Sequence, residues 1–222
     1  MALCRAKYGR METNWAAEHL QVIRTLMERS AVYRRALAPI MALTGALGIA
    51  AAVGGWLGKI ASPMAFAIYW LLVSLAAVLG ALLLVRREAL KEGEPFWSPP
   101  TRRVSQALLP ALAAGFILTL IFLDRSRPGN AEGGMEMARL PALWIVLYGC
   151  ALHAAGFFMP RGMKMFGWAF VLGGCGSFAL GIPEWLRPVY VYAHGMMGLF
   201  FGGLHLAYGV YLYFTEQRKN AA

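Results

Sequence analysis

The sequence predicts an all-α polytopic membrane protein, with six transmembrane helices preceded by an N-terminal cytoplasmic amphipathic helix. Three observations carry this. First, 59% of the 222 residues are hydrophobic and only 14% are charged, too apolar a balance for a soluble domain of ordinary composition. Second, the apolar residues fall in long, nearly charge-free runs of about 20 residues, the length needed to cross a hydrocarbon core of roughly 30 Å. Third, the basic residues alternate. Lys and Arg number seven in the N-terminal segment, five in the second connection, two in the fourth and two in the C-terminal tail. The first, third and fifth connections hold one, three and one. The positive-inside rule therefore puts both termini and the even connections in the cytoplasm.

Taken in order, residues 1–35 form a cytoplasmic segment. Its first ten residues contain no apolar core for a cleavable signal peptide, and either Met1 or Met11 can start translation. From Met11 to Ser30 the pattern is that of an amphipathic helix. Asn14 is placed to cap it, and Ala16, Leu20, Ile23 and Met27 recur at helical spacing. Leu20, Ile23 and Met27 would meet a lipid surface or a protein partner.

The six spans occupy about 36–57, 64–85, 104–123, 140–159, 165–182 and 189–214, and residues 215–222 form a cytoplasmic tail. Pro39 is tolerated in the first turn of span one, and Ser62-Pro63 is an N-cap followed by proline at the first helical position. Pro110 is placed to kink span three. The connection Arg86 to Arg103 carries Phe96 and Trp97, suited to the membrane interface, and Pro99-Pro100 before span three. The stretch Asp124 to Arg139 reads as a polar outer loop.

Charge is missing from the middle of every span, which argues against an ion-coupled pathway or proton relay built on carboxylates. The excess of 21 Lys and Arg over 11 Asp and Glu is distributed as membrane orientation and headgroup contact require. No nucleic-acid recognition motif accompanies it. Three cysteines make no disulfide framework.

Histidine is the polar chemistry left at depth. Projected as an α-helix, span six places His194, Gly198, Gly202, His205 and Gly209 within a sector roughly 80° wide. His153 on span four and His205 on span six fall at a similar level, where neutral imidazoles can ligate haem b iron or a transition metal. Cys150 lies three residues before His153 and is a softer candidate ligand. His194 is too far along the axis to share an ion with His205, but is placed for a second metal site. The competing expectation is structural: imidazoles hydrogen-bonding between helices, with Gly198, Gly202 and Gly209 on span six and Gly173, Gly174 and Gly176 on span five allowing close approach. A serine on one span and a histidine on the next resembles the intramembrane serine proteases. Their G-x-S-G order is replaced here by Gly174-Cys175-Gly176-Ser177, so proteolysis is set aside.

The stretches H-L-Q-V-I-R-T-L-M-E-R-S-A-V-Y-R-R-A-L-A-P-I-M-A-L-T-G (His19 to Gly45) and G-E-P-F-W-S-P-P-T-R-R (Gly93 to Arg103) resemble a family of uncharacterised bacterial six-span integral membrane proteins. The resemblance covers about a quarter of the chain. It implies a bacterial inner-membrane location and transfers no activity, cofactor or site residue. The expectation is then a non-enzymatic membrane protein with a sensory, regulatory or scaffolding role. Its contacts would be the lipid bilayer, a cytoplasmic protein partner and a second copy in a homodimer, and nucleic acid is excluded. A permease for a neutral solute and a haem- or metal-binding protein are the alternatives.

Overall fold

Each long apolar run becomes a helix, because a backbone in lipid must satisfy its own hydrogen bonds. The computed structural model of the protein describes residues 36–91, 93, 97–125, 133–159, 162–181 and 188–220. The amphipathic helix expected over 11–30, with Leu20, Ile23 and Met27, lies outside them, as does Phe96. Helix α1 spans Ala36–Leu57, α2 Pro63–Lys91, α3 Pro99–Arg125, α4 Gly133–Ala155 and α5 Gly162–Leu180. The last helix begins as α6 (Val189–Met197), continues through a π-helical segment (Gly198–Leu204) and ends as α7 (His205–Asn220). No strand occurs among the described residues. Among the described residues, five stretches are long and apolar enough to cross a membrane: Ala36–Leu57, Pro63–Lys91, Thr101–Asp124, Gly162–Leu180 and Val189–Thr215. The apolar part of α4, Arg139–Ala155, is shorter.

Local chemistry sets the helix ends. The Ser62 hydroxyl accepts from the Ala65 amide at 3.1 Å, capping α2 with Pro63 at its first position. The far end of α2 departs from expectation: the helix runs on through Arg86, Arg87 and Glu88 to Lys91, all good helix formers. A Lys91–Glu88 ion pair at 3.0 Å supports the last turn, and Gly93, with φ of 66°, follows it. Helix α4 begins at Gly133, inside the stretch 124–139 expected to be loop. It stops at Ala155 rather than continuing to Met159, closing with tight turns such as Phe158 N–H to Ala155 O at 2.9 Å.

The end of α1 is tighter. Ile60 N–H reaches back to Gly55 O and Lys59 N–H to Trp56 O, each at 3.1 Å. This is the Schellman pairing, with lysine in the left-handed position usually held by glycine. Lys59 has a φ of 49°, where a Cβ costs about 1 kcal/mol or more. Lys59→Gly is therefore expected to raise stability by about 1 kcal/mol, readable as a shift in thermal unfolding in detergent. An unchanged or lowered midpoint would refute that reading of the turn.

Packing is organised around two antiparallel helix pairs. In the first, α1 faces the last helix: Gly55 meets His194, Ala52 meets Gly198, Gly48 meets Phe201 and Gly202, Gly45 meets Leu206, and Ala42 meets Gly209. In the second, α4 faces α5: Gly174 lies against Ala142 and Val146, Gly167 against Gly149 and His153, and Gly156 against Lys164. Small residues recur every three or four positions on each face, letting backbones approach where lipid supplies no hydrophobic drive for helix association. Helix α4 also contacts α3, α6 and α2. By contrast α2 and α3 present long rows of exposed leucine, isoleucine and phenylalanine, the surface that apolar spans offer to lipid.

Candidate functional site: two imidazole clusters

The last helix carries the two buried histidines found among the described residues, and its π segment decides where each one points. A uniform α-helix would set His194, Gly198, Gly202, His205 and Gly209 on one face. The π-helical turns of Gly198–Leu204 add a residue to that face, so Leu206 rather than His205 meets Gly45 of α1. His205 is turned away toward α4 and α5. The expected single face of two imidazoles is thus replaced by two separate clusters, for a reason that 3.6-residue periodicity does not contain.

His205 has no solvent exposure. Its Nδ1 is 3.1 Å from the Phe200 carbonyl, five residues earlier, and its Nε2 is 2.9 Å from the Tyr148 hydroxyl on α4. A carbonyl only accepts, so Nδ1 carries the proton. Nε2 then offers its lone pair, and Tyr148 donates to it. The Phe200 carbonyl belongs to the segment where the regular α-helical pairing is interrupted. The imidazole donates a further bond to it there, so the ring and the π segment are held together. Phe166 and Phe170 of α5 pack edge-on to the ring at centroid distances of 5.1 and 5.3 Å, and Phe201 stacks at 6.1 Å.

His194 is also buried. The Trp70 indole N–H of α2 donates to its Nδ1 at 3.1 Å. An indole only donates, so Nε2 carries the proton and donates to the Ile60 carbonyl at 3.2 Å, just beyond α1. Phe66 meets the ring edge-on at 5.0 Å and Tyr69 at 5.9 Å. The ring occupies the space where a Cβ on Gly55 would stand. One imidazole therefore ties α1, α2 and α6, and the other ties α4, α5 and α7. The two hold opposite tautomers.

His153 differs from both. Its ring lies beside Phe157 and Trp168, at 5.7 and 5.6 Å, and shares no neighbouring ring with His205. Its Nδ1 is buried without a hydrogen-bond partner. Cys150 and Cys175 are exposed free thiols. No group of three or more His, Cys, Asp or Glu side chains is placed to hold a metal ion among the described residues. Of the glycines, Gly173 packs under Phe200 and Gly174 against Val146, while Gly198, Gly202 and Gly209 all line α1. Gly176 does not join them: a Cβ there would meet no atom within 4 Å, so it makes no close helix contact among the described residues. Ser177 donates to the Gly173 carbonyl at 2.8 Å, a bond within its own helix. Trp97 is exposed.

Sequence reading missed the partners that complete these clusters: Trp70, Tyr148, Gly55 and the phenylalanines of α5. One signal was available. Tyr148 lies in the middle of the apolar run expected as the fourth span, away from the interfacial belt where tyrosine is usually found, and a hydroxyl buried there requires a partner. No protein-family model, curated protein or solved structure matches the chain.

Proposed function

We propose that the protein is a non-enzymatic integral protein of the bacterial inner membrane, with six spans and both termini in the cytoplasm. Its bundle serves as a rigid anchor. Its cytoplasmic helix and basic connections engage lipid headgroups or a protein partner in a sensory, regulatory or scaffolding assembly. The observation that carries this reading is the commitment of both ring nitrogens of His194 and His205 to partners inside the chain. The groups best suited to chemistry at depth are used to hold helices together. The glycine faces that a permeation path would use are filled by α1 and by Phe200, which weighs against a solute permease. The sixth span of this reading is α4: its apolar part, Arg139–Ala155, extends about 26 Å at 1.5 Å per residue and crosses with little tilt or local thinning of the bilayer. The distribution of lysine and arginine supports the orientation.

Deleting residues 11–30 tests the interaction role. Partner capture by crosslinking in cells should be lost while the thermal transition of the purified bundle stays unchanged. Capture unaffected by the deletion would contradict it. A second reading, a haem or metal ligand at His153, is favoured by the unpartnered buried Nδ1 alone.

A further inference from the structure

The exposed face of α2 is continuous and measured to a bilayer. Met64, Ile68, Leu72, Leu75, Leu79 and Leu83 are all about half exposed or more and lie within a sector about 100° wide at 100° per residue. From Met64 to Leu83 the stripe is about 29 Å long at 1.5 Å per residue, close to the thickness of the hydrocarbon core. The helix does not stop there. Two further turns carry Arg86, Arg87, Leu90 and Lys91, which with Leu83 line a shallow groove of about 520 Å³. Arg86 and Leu90 continue the sector of the apolar stripe.

This groove joins two chemistries at one depth. Leu83 and Leu90 are 64% and 72% exposed, offering apolar surface to a chain lying along the helix. Arg86 and Arg87 are exposed and make no hydrogen bond or ion pair among the described residues. The nearest carboxylate on the helix, Glu88, is engaged by Lys91 at 3.0 Å, so neither guanidinium is neutralised there. Two free guanidiniums placed where the stripe ends stand at the level of lipid phosphates, and guanidinium binds phosphate bidentately.

We propose that this groove is a binding site for an anionic phospholipid, its phosphate held by Arg86 and Arg87 and its acyl chain lying on Leu83 and the leucines above it. The proposal rests on the reading of this end of α2 as cytoplasmic, and it names the lipid class that the basic connection recognises. The charge complementarity is specific to the headgroup: a zwitterionic lipid offers the same phosphate with a neighbouring cation that opposes the arginines.

The test uses the full chain, purified in mild detergent and titrated with mixed micelles of phosphatidylglycerol or phosphatidylcholine, with bound lipid counted by native mass spectrometry. Wild type should retain phosphatidylglycerol in preference to phosphatidylcholine. Arg86→Gln/Arg87→Gln should weaken that retention on the order of thirtyfold, taking the usual contribution of two basic residues at an anionic surface. Arg102→Gln/Arg103→Gln should change it far less. Should the double variant fail to fold, each single variant should show about a fivefold loss. Equal retention of the two lipids by wild type would overturn the proposal, as would a double variant that binds like wild type. Displacement of the lipid by millimolar inorganic phosphate would also overturn it, since the site would then be one for free anions. Fractionation of the expressing cells separates the underlying reading from the proposal. Absence from the membrane fraction sinks both, whereas a membrane-resident protein indifferent to headgroup charge sinks the lipid site alone.

Discussion

His205→Ala is expected to lower the stability of the bundle by about 3 kcal/mol, combining a buried cavity with two lost hydrogen bonds. The substitution leaves the Phe200 carbonyl and the Tyr148 hydroxyl without the partners they have at 3.1 and 2.9 Å. Neither can turn to water, because His205 is wholly buried and rings from α5 and the π segment surround it. Hydrogen bonds between helices in lipid average about 0.6 kcal/mol and reach about 1.7, so most of the loss should come from the cavity. Tyr148→Phe should cost about 1 kcal/mol. In a double-mutant cycle the two should be coupled rather than additive. Unfolding in mixed micelles with increasing dodecyl sulfate reads all three values. Independent, additive effects would show that the Tyr148–His205 contact contributes nothing.

The second large effect belongs to the seam between α1 and the last helix. A Cβ at Gly48 would stand 2.5 Å from the Phe201 carbonyl oxygen and 2.7 Å from the Gly202 nitrogen. Both are backbone atoms, which cannot move aside as a side chain can. Gly48→Ala is therefore expected to cost about 2 kcal/mol, at the centre of the usual range for overpacking, and Gly48→Val to cost more. Gly195 is the contrast, because a Cβ there meets no atom within 4 Å. Gly195→Ala should be neutral or gain up to about 1 kcal/mol of helix propensity. If the two alanine variants unfold at the same denaturant concentration, the seam is not packed as described.

These two sites also show what the sequence made legible. Apolar run length and the Ser62-Pro63 signal sufficed to place helices, because each depends only on neighbouring residues. The extension of α2 to Lys91 was hidden because the apolar run ends at Val85, while helix propensity and the Lys91–Glu88 pair carry the backbone further. The close approach of glycines on the last helix could be anticipated from spacing, but not their partner: α1 is more than 130 residues away in the chain.

The roles of the histidines needed the third dimension. Trp70 and His194 are 124 residues apart, and Tyr148 and His205 are 57 apart. The π segment that turns His205 toward Tyr148 breaks the periodicity on which any helical projection depends. A sequence holding two histidines and several glycines on one span reads equally well as a cofactor cradle or as a packing seam. Donor and acceptor bookkeeping at each nitrogen distinguishes them.

The most direct measurement is an absorption spectrum of the purified protein, oxidised and reduced, with elemental analysis of the same sample. The account predicts no haem band and no stoichiometric metal, with unfolding of His194→Ala and His205→Ala shifted to lower denaturant. A haem band or a stoichiometric metal that disappears in His205→Ala while the fold survives would contradict it, because that imidazole would then be a ligand and not a tie between helices.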